Sequence, residues 1–258
     1  MKHPQTKSIV KADYRVRVSP KAKHVCIKVS HSGDVEVVVP KGFDQRHIPD
    51  IVQRRRDWIA KTIQRIEAER QGMRTEPGDA MPQVISLRSL PEEWTVTYRP
   101  TSEPHLKVVL AIAPKGELLR TTHQLVLQGP IQHLDLCQQV LRRWLHRKAH
   151  LHLVPWLEQV SDQIRLPFST ASVRGQKTRW ASCSNKKSIS LNYKLLFLPP
   201  HLVRYVLIHE LCHTIHLNHS SAFWALVEEK EPNYKNLDSE LRTAWRYVPE
   251  WVEQSPDY

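Results

Sequence analysis

The feature that most constrains this sequence is a pair of histidines four residues apart, His209 and His213, with Glu210 directly after the first. On an α-helix, a spacing of four places two side chains on the same face, one turn apart. Both imidazoles can then bind one metal ion beside the helix, while the glutamate reaches a water held by that ion. The pattern therefore predicts a helix here and a zinc ion, Zn²⁺, bound to it.

A third ligand is needed, because catalytic zinc sites use three protein ligands and keep one position open. His219 lies six residues past His213. That distance lets the helix end near Leu217 and Asn218, since asparagine tolerates the left-handed conformation that closes a helix. We expect His219 to complete the site. A glutamate on a following helix, as in gluzincins, is the alternative, and the candidates are Glu228, Glu229 and Glu231.

Metzincins share this histidine spacing but require a glycine where this chain has His216. They also need a methionine turn after the motif, and the three methionines here, at positions 1, 73 and 81, all precede it. A metzincin is therefore excluded. His216 is also a weaker third ligand than His219, because three residues after His213 it would still ride on the same helix.

Ordinary core or surface histidines are the alternative to a metal site, because the chain contains 15 histidines. The segment at 203–208 is apolar enough to be a buried helix. Ionisable side chains on such a helix are costly unless they have a function, which favours the metal site.

The cysteines and the termini predict a cytoplasmic protein. The four cysteines are scattered without a CxxC pair, which indicates a reducing compartment rather than a disulfide framework. No apolar run has the length of a signal peptide or a membrane span. The net charge of +12 leaves weak contact with nucleic acid open, but the basic residues are spread out, and a solvated face is favoured for the triplet at 54–56.

The first half of the chain is predicted to be rich in β-strands, and we expect one region over residues 1–130. Alternating segments at 14–18, 25–29 and 35–39 predict a small antiparallel sheet, with a turn at 30–34. Apolar spacing predicts one long helix at about 46–70, followed by a loop at 71–82. Further strands are expected at 84–87, 94–98, 106–112 and 125–127.

The second half, residues 131–258, is predicted to be a zincin-like metallopeptidase domain. Helical spacing begins near residue 132, with a kink or break expected at Pro155. A strand at 188–193 follows, and Pro199-Pro200 is suited to begin the HExxH helix. Ser220 or Ser221 can cap the next helix. The predicted fold class is α+β, with the HExxH helix packed on a mixed sheet.

Several segments together resemble the YgjP-like zinc metallopeptidase family, whose HExxH core is similar to that of SprT-like and WLM peptidases. They are Arg179-Trp180-Ala181-Ser182-Cys183, Ser190-Leu191-Asn192, Tyr205-Val206 leading into His209–His213, His219-Ser220, and Phe223-Trp224. The family usually has glycine where this chain has Ala181, and an alanine would strain that position if it needs a positive φ. Residues 75–130 match no pattern of the family that we can name and are interpreted as an insertion.

The resemblance implies zinc ligands at His209, His213 and His219 and a general base at Glu210. The predicted function is a zinc metalloendopeptidase that hydrolyses peptide bonds of a peptide or protein substrate with a zinc-activated water. The strand at 188–193 is a candidate sheet edge for an extended substrate, with Asn192 and Tyr193 as candidate substrate-binding residues; an ordinary core strand is the alternative.

Two other functions stay open: a SprT-like protease or DNA-binding protein associated with nucleic acid, and a zinc-stabilised domain without catalysis. Glu210 argues against the last, since a structural site does not need that carboxylate. The candidates for stabilising the oxyanion are Arg179, Tyr193, Tyr205 and His216.

Overall fold

The computed structural model describes residues 14–30, 33–71, 81–112 and 123–253, without the side chains of 69–71 and 111–112. Most of the predicted loop at 71–82 and part of the predicted turn at 30–34 lie outside these residues. The chain divides into two compact units, residues 1–72 and 73–258. The predicted boundary near residue 130 falls inside the second unit.

The first unit contains a three-stranded sheet and two helices. Its strands are β1 (Tyr14–Ser19), β2 (Cys26–Val29) and β3 (Val35–Pro40), in the order β1-β3-β2. The hairpin β2–β3 is antiparallel as predicted, but β1 runs parallel to β3, so the sheet is mixed. The predicted long helix is two helices, α1 (Ile48–Arg54) and α2 (Arg56–Gln71), because Arg55 leaves the helical conformation.

The second unit begins with a four-stranded mixed sheet. Its strands, in the order β4-β5-β7-β6, confirm the four predicted strands: β4 (Val84–Leu87), β5 (Glu92–Pro100), β6 (Lys107–Ile112) and β7 (His123–Gly129). In β5, Trp94 and Val96 are buried and their neighbours face outward, as expected for a sheet with one covered face. These side chains share one core with the helical part of the unit.

Of the kink or break predicted near Pro155, the break is wrong, because helix α3 (Leu134–Ile164) is continuous through this residue; the kink stays a prediction. A proline inside a helix costs about 3 kcal/mol, because it removes one hydrogen bond and crowds the preceding turn. Four leucines on this helix are fully buried, and burial of each contributes about 2 kcal/mol. Packing therefore outweighs the proline; these leucines are Leu141, Leu145, Leu153 and Leu157.

The second unit also contains a three-stranded sheet, which lies beside the HExxH helix. It contains β8 (Thr170–Arg174), β9 (Ala181–Cys183) and β10 (Ser188–Asn192), in the order β8-β10-β9. Because β10 pairs with β8 on one side and β9 on the other, the prediction of an edge strand at 188–193 is wrong. The edge beside the HExxH helix is β9.

Four helices complete the second unit: α4 (Pro200–Cys212), α5 (Ser221–Lys230), α6 (Tyr234–Leu241) and α7 (Glu250–Glu253). Pro199 caps α4 and Pro200 is its first residue, as predicted. Helix α4 contacts β9, α3, α5 and α6, so the predicted α+β fold with the HExxH helix on a mixed sheet is confirmed. Among the described residues, no helix combines the length and apolar character needed to cross a membrane.

Candidate metal centre

The last turn of α4 carries His209 and Glu210, and the helix ends one residue before His213. This end is earlier than the predicted one near Leu217 and Asn218, and Asn218 does not have a positive φ. A tight turn ends the helix instead, with the Thr214 hydroxyl donating to the carbonyl of Leu211 at 2.7 Å. The early end gives the chain enough length to fold back over the helix.

The chain brings His219 back beside α4, and Ser220, the N-cap of helix α5, follows it directly. The Ser220 hydroxyl accepts a hydrogen bond from the main-chain N–H of Phe223 at 3.4 Å, which confirms the predicted cap of α5. One nitrogen of each of His209, His213 and His219 lies within 4.8 Å of the others. The Nε2 atoms of His209 and His219 are 3.1 Å apart. The structure thus brings the three predicted ligands together.

The surroundings of His209 and His213 favour the neutral form of imidazole, which is the form that binds a metal. Burial, and then His213 and His219, lower the pKa of His209 to about 3. Burial also lowers the pKa of His213. The Nδ1 atom of His213 lies 2.9 Å from the carbonyl oxygen of His216, which can only accept, so Nδ1 carries the proton and Nε2 keeps its lone pair.

Glu210 is 7% exposed and has one oxygen without a partner. The main-chain N–H of Cys183 donates to the carboxylate, while Oε2 has no hydrogen bond within the described part of the chain. Burial raises the pKa of Glu210 to about 8, although Arg179 and the Cys183 N–H act in the opposite direction. A buried polar oxygen without a partner is costly, so its free side suits a water or another polar group.

Aromatic rings from α5 support the histidines. Phe223 is fully buried and stacks on His213, with ring centroids 4.4 Å apart. Trp224 stacks on His219 at 5.5 Å and on Tyr234 of α6 at 5.5 Å. The exposed imidazole of His219 therefore packs against the rings of Phe223 and Trp224, although His219 itself lies outside the helices.

The alternative third ligands lie in other interactions. Glu228 pairs with Lys235 at 3.4 Å, Glu229 with Lys230 at 2.8 Å, and Glu231 with Arg204 at 3.5 Å. Among the described residues, the three histidines form the one group of metal-ligand type, and it includes neither these glutamates nor His216. The geometry therefore favours a set of three histidines over a gluzincin set.

Strand β9 connects the sheet to the candidate base. The carbonyl of Trp180 accepts from Asn192, and Ser184 donates to the carbonyl of Ser188, so these main-chain groups face β10. By the alternation of an antiparallel pair, those of Ala181 and Cys183 face the other way, toward α4 and the open edge. Ala181 does not have a positive φ, so the expected strain at this position is absent.

Asn192 and Tyr193 contact groups other than the three histidines. The Asn192 side chain is fully buried, and its nitrogen donates to the carbonyls of Gln176 and Arg179, both at 2.8 Å. Tyr193 lines a separate cavity on α3. The structure gives Asn192 a role in shaping the loop before β9; substrate binding by either residue stays a prediction.

Two candidates for oxyanion stabilisation have their hydroxyl groups engaged or directed elsewhere. Tyr205 is fully buried with its ring 6.0 Å from that of His209, but its hydroxyl donates to Asp238 at 3.3 Å. Tyr193 belongs to the other cavity. Arg179 is exposed and lowers the pKa of Glu210, so its charge acts on the site. Arg179 and His216 therefore remain as candidates.

Sequence reasoning missed two parts of the site. The hydrogen bond from Cys183 to Glu210 comes from the main chain, which has no residue signature. The stack of Trp224 on His219 was not predicted, although their spacing of five residues across a helix cap was a usable signal.

Comparison with known proteins agrees with the geometry. The family model described as "YgjP-like, metallopeptidase domain" matches residues 23–244, a range that includes 75–130. The chain is also similar to the crystal structure of the metallopeptidase zymogen of Pyrococcus abyssi abylysin, with 30% identity and a TM-score of 0.32. That match covers 35% of this chain and 92% of the other. No curated protein matches the chain.

Proposed function

The chain belongs to the YgjP-like metallopeptidase family, and from that membership we propose that it is a zinc-dependent endopeptidase with Glu210 as its general base. The observation that supports this is the group of three histidines next to a buried carboxyl group with one oxygen free. In a site made only for structure, the free oxygen would be an uncompensated cost.

The donor set fits zinc. Three imidazole nitrogens and an open position are typical of catalytic zinc, and imidazole suits this borderline metal. His209, His213 and His219 would hold the ion, and the low pKa of His209 means that protons compete little for its nitrogen. When bound, zinc would supply a Lewis acid that lowers the pKa of a water and polarises the scissile carbonyl.

Glu210 would then move the protons of the reaction. Its Oε2 is free to accept a proton from the attacking water, while the Cys183 N–H holds the other oxygen in place. Burial raises the pKa of Glu210, and the positive charge of a bound zinc ion would lower it again, so that the carboxylate is ionised and can act as a general base near neutral pH. The same oxygen can return the proton to the leaving amine nitrogen, which completes hydrolysis.

The substrate would lie along β9. The Cys183 N–H is held by Glu210, so the outward main-chain groups of Ala181 and the outward carbonyl of Cys183 would pair with an extended peptide. This pairing would bring a peptide carbonyl to the free oxygen of Glu210. Strand β9 would bind the substrate through main-chain atoms, which are present all along a peptide. We therefore propose cleavage within peptides rather than at their ends. A cytoplasmic location is proposed with it, since all four cysteines are unpaired thiols.

The test is the variant Glu210→Gln, compared with wild type for bound metal and for hydrolysis. Metal analysis should find zinc in both proteins, because Glu210 is not a ligand in the proposed site. Casein hydrolysis and self-cleavage should occur in wild type and be lost in the variant. Casein hydrolysis at the wild-type rate by Glu210→Gln would refute the assignment of the base, and wild type without hydrolysis would refute the endopeptidase.

A further inference from the structure

A cavity of about 440 Å³ lies on helix α3 and includes none of the candidate zinc ligands. Five of its lining residues follow helical spacing along one face of α3, and Tyr193 contributes from the segment after β10. The five helical residues are Gln139, Arg142, Arg143, His146 and Arg147. Three of the residues that line the cavity are arginines and none is acidic, so the lining carries a net positive charge.

Exposed arginines alone would indicate only a solvated face, but this cavity is built around a fixed tyrosine. Tyr193 is 7% exposed and lies against Gly175, where an added Cβ would be 2.8 Å from the tyrosine ring. On the other side, His146 is held by a 2.8 Å contact between its Nε2 and the carbonyl oxygen of Val173. The glycine thus leaves room for the ring, and the cavity has a defined wall.

The arginines provide the charge. Arg142 is half-buried, and its guanidinium donates to the carbonyl of Trp251 at 3.0 Å, which fixes its position. Arg143 and Arg147 are exposed, and no carboxylate of the described residues forms an ion pair with them. Two acidic residues outside the lining act on it: Asp135 acts on Arg142, and Glu253 of α7 acts on Tyr193.

We propose that this cavity binds a phosphate-bearing anion. Guanidinium groups offer planar pairs of donors that match phosphate oxygens. Gln139 adds an amide, and Tyr193 adds a hydroxyl that stays protonated at neutral pH, because burial raises its pKa to about 12. The volume is within the usual range for small-ligand sites, which suits one or two phosphates with an attached group.

Such phosphates can belong to a nucleic-acid backbone or to a free phosphate compound, and binding to the full chain separates them. The probes are a short fluorescein-labelled single-stranded DNA, followed by anisotropy at several KCl concentrations, and pyrophosphate, followed by calorimetry. The test variant is Arg143→Ala/Arg147→Ala. Its matched control is Arg99→Ala/Lys186→Ala, which removes two exposed charges outside the cavity.

Wild type should bind at least one probe, and the test variant should bind it about tenfold more weakly or worse, while the control stays within about twofold of wild type. For DNA, the test variant should also lower the salt slope by about 1.4, because each lost phosphate contact accounts for about 0.7. Binding of DNA without pyrophosphate identifies a backbone site, and binding of pyrophosphate identifies a site for free phosphates.

A second variant changes the shape of the cavity without changing its charge. Gly175→Ala changes no charge but pushes the Tyr193 ring from its place, so it should weaken binding of the same probe while zinc content stays at the wild-type level. The proposal is overturned if wild type binds neither probe, or if the test variant and its control weaken binding equally.

Discussion

His219 is the candidate ligand that no helix or strand holds. It lies in the short connection between α4 and α5, with its ring exposed, whereas His209 and His213 are fixed by the end of α4. A residue in this position contributes strongly to metal binding only when its neighbours fix it. Here the cap at Ser220 and the stack on Trp224 do so.

We expect His219→Ala to weaken zinc binding roughly a thousandfold, because the total free energy of binding is shared among few ligands. Hydrolysis should be lost as well. Competition with a fluorescent chelator measures the affinity, and Glu228→Ala and Glu229→Ala are the controls. If zinc binding survives in His219→Ala and falls in either control, the third ligand is a glutamate.

Ala181 gives a second prediction at the level of one residue. It is 7% exposed, lies in β9 and has an ordinary backbone conformation. The variant Ala181→Gly, which restores the usual residue of the family, should lower the free energy of unfolding by about 1 kcal/mol, since glycine loses more conformational freedom on folding. Urea denaturation measures this, and a gain in stability would show that alanine is strained there.

The residues of the site were predictable where the chemistry lies in side chains. The histidine spacing predicted a helical pair, and His219 was the favoured third ligand, with the glutamates of the next helix as alternatives. The Cys183 donor could not be predicted, because any residue other than proline supplies the same N–H. The position of Asn192 against the loop before β9 could not be predicted from the residues around Asn192, because it depends on the pairing of β10 with β9.

Helix α5 holds the third ligand through the rings of Phe223 and Trp224. We predict that Trp224→Ala lowers zinc affinity by about 10- to 100-fold, the usual effect of losing a group that orients a ligand. Trp224→Phe keeps a ring in the stack and should stay close to wild type. Zinc competition and the visible spectrum of the cobalt-substituted protein provide the readout, and equal affinities for the alanine variant and wild type would contradict this role.

Sequence patterns predicted where most helices and strands lie along the chain, but not which strands pair with each other. The strands at 84–129 and the helix caps at Pro199 and Ser220 were predictable from alternation and capping residues. For strand β10, an edge position and a position inside the sheet both stayed open, because the alternation of apolar residues shows which face is covered but not how many neighbouring strands pair with it. The continuity of α3 at Pro155 was missed, because a local rule could not weigh the burial of distant leucines.

For the whole molecule, the metal should control the stability of the second unit, which contains all the candidate ligands. Seven of the eight tryptophans also lie there, all except Trp58, so tryptophan fluorescence reports mainly on this unit. At a zinc concentration of about 100 times Kd, binding contributes about 2.7 kcal/mol, which corresponds to about 5–10 °C in the unfolding midpoint.

EDTA should therefore lower the fluorescence-detected midpoint of wild type by that amount, and added zinc should restore it. His219→Ala provides the control and should show little response to either treatment. An unfolding midpoint that EDTA does not change would mean that no metal ion bound by the histidines stabilises the second unit.

All three candidate ligands and the base come from eleven consecutive residues, 209–219. Even a denatured chain keeps these imidazoles within a short loop, and closing a loop of this length costs little more than closing a shorter one. The unfolded ensemble will therefore also capture zinc, which reduces the net stabilisation relative to the affinity of the native protein. A nascent chain could thus acquire its ion before the sheet and helices around it have assembled, so that metal loading need not wait for folding.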